Sequence, residues 1–147
     1  MIRDDEHDHP LLPPEVLRAL DIDRHSTAWQ RTVDITTTGA RTGRPRRIEI
    51  WFHKIEGRWY LSSTPARRSW YANLLAHPRF VFHLKHGIRA DLPAIAVPVP
   101  DPTERRRIFQ HIVDDFNQPH DPARVGRAQH VEDWLAASPL LEIRFAA

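Results

Sequence analysis

The chain has 147 residues, 41% hydrophobic and 27% charged, which suits a single domain with its own core and argues against general disorder. It contains no cysteine, which excludes disulfides and thiolate metal sites. The net charge of +2 conceals a split: residues 31–100 carry 12 Lys/Arg against 4 Asp/Glu, and the remainder carry 9 against 15. A basic centre between acidic flanks suits an anionic small ligand or a nucleic acid, with a merely solvated basic surface as the plainer reading.

The first ten residues are acidic and lack the basic and apolar regions of a secretion signal. No apolar run reaches the length of a membrane span, so a cytoplasmic location is expected. Residues 1–30 read as an N-terminal arm with a short helix around Glu15–Leu20, and residues 31–147 as the folded domain. Thr32–Thr38 is rich in β-branched residues and predicts a strand. Arg46–Lys54 alternates, with Ile48, Ile50 and Phe52 on the apolar face and Glu49, Trp51 and His53 opposite. Glu56-Gly57 supplies a tight turn into a strand over Arg58–Ser63.

After Pro65 the period changes. Ala66–Ala76 predicts a helix that His77-Pro78 stops. Phe80–Lys85 and Ile88–Val99 predict strands about a His86-Gly87 turn. Asp101-Pro102-Thr103-Glu104 has the cap, proline and acid of a helix start, and that helix is expected to run to about Asn117. A short helix over Val131–Ala137 and a strand over Leu140–Phe145 follow. This order predicts a mainly β fold, a six-stranded, largely antiparallel β-barrel with flanking helices.

The sharpest local feature is the loop at 39–47. Gly39 and Gly43 permit close backbone approach, and Arg41, Arg44, Arg46 and Arg47 stand around them with no acid. Exposed amides with guanidinium forks make an anion site, since phosphate accepts bidentate hydrogen bonds. A polar hairpin turn is the alternative. A second cluster, Ser62, Ser63 and Thr64, offers hydroxyls and amides ahead of the helix, with Arg67 and Arg68 placed in its first turn. Cations at that position are unfavourable for the helix itself, which points to a bound anion. Trp70 suits the core or the wall of a ring pocket, and Asn73 suits either a site or plain exposure. The ten histidines, with His7 and His9 on the acidic arm, show no paired helical ligand spacing, so no metal is expected.

Together these segments resemble the deazaflavin-dependent nitroreductase family, a branch of the split β-barrel flavin-binding proteins. The matching runs are Ile-Thr-Thr-Thr-Gly-Ala-Arg-Thr-Gly-Arg-Pro-Arg at 35–46, Arg-Trp-Tyr-Leu-Ser-Ser at 58–63 and Ser-Trp-Tyr-Ala-Asn-Leu at 69–74. The resemblance implies a homodimeric split β-barrel, FMN-binding-like, that binds coenzyme F-420 and reduces a small-molecule electron acceptor such as a quinone, activated alkene or nitro compound. It implies that Arg41, Thr42, Arg46 and Arg47 hold the phosphate and polyglutamate tail, and that Ile50 and Trp51 line the ring. Ser62, Ser63 and Thr64 would meet the ring's polar edge, and Ser69–Asn73 the phosphoribityl region. This sequence departs from the family in its short loop at Thr64–Arg68, in Glu49 near a usual proline, and in having only Tyr60 and Tyr71 as tyrosines. The alternatives are FMN as cofactor, a carrier without turnover, and a module for single-stranded nucleic acid in which Trp51, Trp59, Tyr60, Trp70 and Tyr71 stack on bases.

Overall fold

The computed structural model describes residues 12–145, so His7 and His9 lie outside the described residues. Six strands form the frame: β1 (Thr32–Thr38), β2 (Pro45–Ile55), β3 (Arg58–Ser62), β4 (Arg79–Leu84), β5 (Ala90–Pro98) and β6 (Leu140–Phe145). They close into a barrel in the order β1-β2-β3-β6-β5-β4, and every neighbouring pair is antiparallel. Neighbours of such different sequence separation need long-range pairing: Leu61 lies opposite Leu141.

Alternation sends one side of each strand inward. Val33, Ile35, Ile50, Phe52, Leu61, Phe82 and Ile143 are buried in one cluster, where Phe82 meets Phe52 and Phe145 edge-on at 5.2 Å. The Glu56-Gly57 turn between β2 and β3 has φ of 53° and 79°, as the tight hairpin requires at both central residues.

Among the described residues five helices flank the barrel: α1 (Pro14–Leu20), α2 (Ala28–Arg31), α3 (Ser69–Ala76), α4 (Pro102–Phe116) and α5 (Val131–Ala137). Helix α1 adds Val16 and Leu20 to the inner cluster, and the Trp59 indole donates to the Leu20 carbonyl at 2.9 Å. Helix α4 begins as its sequence directs, with the Asp101 carboxylate accepting the Glu104 amide at 3.0 Å. Its Ile108, Phe109, Ile112, Val113 and Phe116 recur at helical spacing and form a second core with Tyr60, Trp134 and Leu140. Tyr60 projects from the barrel's outer side beneath that helix; burial and the Glu142 charge push its phenol up to about 12.

Helix α3 starts at Ser69, three residues later than the period predicts. The Arg68 guanidinium turns back to donate to the Thr64 carbonyl and hydroxyl, both at 3.0 Å, and Arg68 itself is extended at the N-cap. Residues 64–68 are thereby held as a loop, and Arg67 and Arg68 precede the helix rather than belong to its first turn.

Candidate functional site

The β1–β2 turn is built around two glycines. Gly39 donates to the Arg44 carbonyl at 2.8 Å and accepts the Gly43 amide at 2.9 Å. A Cβ at Gly39 would stand 2.5 Å from the Thr42 hydroxyl oxygen, so a side chain there forces that hydroxyl to turn away. Gly43 has φ of 68°, and Thr42 accepts the Arg44 amide at 3.2 Å. From α3, buried Asn73 fixes the turn's approach: its side-chain oxygen accepts the Ala40 amide at 2.9 Å, and its amide nitrogen donates to the Thr37 hydroxyl at 3.1 Å.

Between this turn, the 64–68 loop, α3, α4 and α5 lies a groove of about 1050 Å³. Of the residues singled out by sequence, Arg41, Thr42, Arg46, Arg67, Arg68 and Asn73 line it. Arg105 from α4 adds a fifth arginine, and no Asp or Glu is in the lining. Three buried polar atoms close to this region have no hydrogen-bond partner: the Arg68 Nε, the Ser63 hydroxyl and the Ser138 hydroxyl. An unpaired buried donor is costly, so this is where an anionic or polar ligand gains most. The donor set fits a cofactor that carries phosphate and carboxylates.

The other sequence candidates lie elsewhere. Arg47 donates to Asp34 at 3.0 Å on the outer face of β1 and β2. Ile50 is buried inside the barrel. Trp51 is on the opposite side of its strand, as alternation predicts, and meets Phe116 edge-on at 5.9 Å. The Ser62 hydroxyl donates to the Pro139 carbonyl at 2.7 Å, and Trp70 packs into the barrel cluster. Thr64 lines a neighbouring cavity with Arg127 and His130, which shares Ala136 and Ala137 with the groove.

Sequence reasoning did not single out Arg105 or the wall at 135–139. That wall reaches the groove because β6 pairs with β3 and because the Ala66 amide donates to the Ala137 carbonyl at 3.2 Å. No local motif encodes either contact.

Outside the groove, His83 is held at both ring nitrogens, by Asp91 and by the Thr36 hydroxyl, each at 2.7 Å. Burial pushes the nearby Asp34 carboxyl up, but hydrogen bonds from Lys85 and Arg47 outweigh it and leave the group below its usual range. Under α4, burial and then the Arg31 charge press His53 down to about 3, so it is neutral. Among the described residues no cluster has the composition of a metal site, and no helix is long and apolar enough to cross a membrane.

The family model described as F420H(2)-dependent quinone reductase matches residues 16–128. The chain belongs to that family. It is an F-420-dependent oxidoreductase with a split β-barrel fold, as the resemblance in the sequence implies. Solved structures show the same fold at low identity. A conserved hypothetical protein of Mycobacterium tuberculosis is 19% identical with a TM-score of 0.62, over 100% of this chain and 86% of that one. A FAD-binding protein of Mesorhizobium loti is 15% identical with a TM-score of 0.58, over 93% and 91%. An F420 reductase is 16% identical with a TM-score of 0.51, over 80% and 88%. No curated protein matched.

Proposed function

We propose that the family's cofactor lies along the arginine-lined groove, and that this is a cytoplasmic, homodimeric quinone reductase whose cofactor domain spans residues 31–147. The observation that carries the placement is an acid-free lining with five arginines and an unpaired, buried Arg68 Nε. Arg41 and Arg46 on the hairpin, with Arg67 and Arg68 on the facing loop, neutralise the phosphate and tail carboxylates from two sides. Thr42 shapes the turn, and Asn73 holds its approach in place before the ligand arrives, which lowers the ordering cost of binding. When bound, the reduced deazaflavin supplies a hydride to the acceptor, and the protein's share is to orient it and limit water around it. Activated alkenes and nitro compounds are the other acceptor classes.

The experiment is a fluorescence titration of the purified protein with F-420 and with FMN, wild type against Arg46→Ala and Arg67→Ala. Weaker F-420 binding in both variants supports the placement. Wild-type affinity in both refutes it. Light scattering in solution decides the dimer.

A further inference from the structure

Alternation along β1 sends two neighbouring threonines to different tasks. Thr37 meets Asn73 of α3, whereas Thr36 points to the outer face that Asp34 and Arg47 share. There the Thr36 hydroxyl lies 2.7 Å from His83 Nε2, and the Asp91 carboxylate lies 2.7 Å from His83 Nδ1. Strands β1, β4 and β5 each contribute one member. An ionised carboxylate only accepts, so in the neutral ring Nδ1 carries the proton and Nε2 accepts from Thr36. Hydroxyl, imidazole and carboxylate thus stand in the order that makes a hydroxyl nucleophilic, with the base in reach and its tautomer fixed from behind. Backbone pairing does not call for such a relay, since the ladder already sets His83 opposite Asp34 on one side and Asp91 on the other. The His83 side chain is 8% exposed and so held in place, while Thr36 is only half-buried and open to solvent.

We propose that Thr36, His83 and Asp91 form a second, hydrolytic site that cleaves small activated esters. Thr36 Oγ bonds to the ester's carbonyl carbon while its proton passes to His83 Nε2. The carbonyl electrons move to oxygen, and Arg47, opposite Thr36 in the β1–β2 register, brings a cation to the face where that oxyanion forms. Collapse breaks the bond to the leaving group, which takes the proton from His83 and departs as an alcohol or phenol. Water then adds to the acyl-Thr36 carbon, again giving its proton to His83, and the carboxylic acid leaves as Thr36 recovers its hydrogen. The sum is ester plus water to acid plus alcohol, with no redox change and no cofactor. Asp91 is a positioning residue that keeps the imidazole in its basic tautomer. The site lies on an open face, where the Asp91 and Arg47 side chains are 77% and 54% exposed, so nothing walls in a long acyl chain and short acyl groups suit it.

p-Nitrophenyl acetate is the probe, with the full chain as purified. The wild type should release p-nitrophenol, and peptide mapping of protein quenched during turnover should find an acetyl group on Thr36. Thr36→Val, which keeps the shape and loses the hydroxyl, should lower hydrolysis about tenfold or more. Asp91→Asn, at an exposed position, should lower kcat by a similar factor with KM within about twofold, because the imidazole loses its tautomer while the ester keeps its contacts. Both variants should bind F-420 as the wild type does, which separates this site from the groove. Wild-type hydrolysis by Thr36→Val, acetyl groups found only on lysines, or no hydrolysis by the wild type each overturn the proposal. So does a lowered melting temperature in both variants with hydrolysis unchanged, which would make the array a brace between β1, β4 and β5.

Discussion

The Asn73 side-chain oxygen accepts the Ala40 amide at 2.9 Å, although one residue is on a helix and the other on a hairpin turn 33 positions earlier. The same side chain donates to Thr37, so one buried amide joins α3 to both the end of β1 and the anion-facing turn. Replacing Asn73 with alanine strands the Ala40 amide and the Thr37 hydroxyl. The expected loss is about 1–3 kcal/mol of stability, accompanied by weaker F-420 binding. Thermal melts and a fluorescence titration of the same variant check both; a melt shift without any change in affinity would show that the turn needs no such anchor.

Gly39→Ala tests the turn itself. Its Cβ would sit 2.5 Å from the Thr42 oxygen and 3.3 Å from the Arg44 carbonyl, so the Thr42 hydroxyl must turn away and give up the Arg44 amide. A destabilisation of about 1–3 kcal/mol is expected. Gly43 faces open space, and its positive φ is one that asparagine accepts. Gly43→Asn should therefore melt closer to the wild type than Gly39→Ala does. The reverse ranking would contradict the turn geometry.

Much of this arrangement is legible in local sequence, and the reason is periodicity. Ile48, Ile50 and Phe52 alternate with Glu49 and Trp51, which was enough to give β2 its two faces; Asp101-Pro102 marked the start of α4 without any tertiary information. The arginine turn stood out because glycines and cations cluster within nine residues. Arg105, Ser138 and Leu135 carry no comparable mark. They reach the groove through the pairing of β3 with β6, and nothing near Ser62 announces that Leu140 will lie opposite. The start of α3 escapes local sequence for a related reason: the return of Arg68 to Thr64 is a side-chain decision that hydrophobic spacing does not record.

Acid should expose the burial of His53. Its folded pKa is lowered to about 3, below the roughly 6.5 of an unfolded chain, so the unfolded state binds the extra proton first. This group's contribution is fully present above about pH 6.5 and is lost as the pH falls toward 3. At pH 4.5 the loss should be about 2–3 kcal/mol relative to neutral pH. His53→Gln should lack that part of the slope. Urea unfolding of both proteins at pH 7 and pH 4.5 provides the comparison, and parallel slopes would mean that His53 does not resist protonation.

Salt separates charge from shape in the groove. If arginines hold the cofactor tail, F-420 affinity should fall steadily as ionic strength rises from 10 mM to 1 M, a range over which the screening length shortens from about 30 Å to 3 Å. Arg46→Ala should cost about 1.5–3 kcal/mol at low salt and less at high salt. Equal losses at both extremes would point to a packing role for Arg46.

Closure of the barrel through the β1–β4 pair leaves each of the six strands with two hydrogen-bonded neighbours. An invading segment therefore finds mainly the arm of β2 over residues 45–51, which pairs with β1 alone, as a row of backbone groups to extend. Everywhere else growth into larger assemblies proceeds through side chains on the outer faces, so the assembly state of this protein can be altered by surface substitutions that leave the backbone ladder intact.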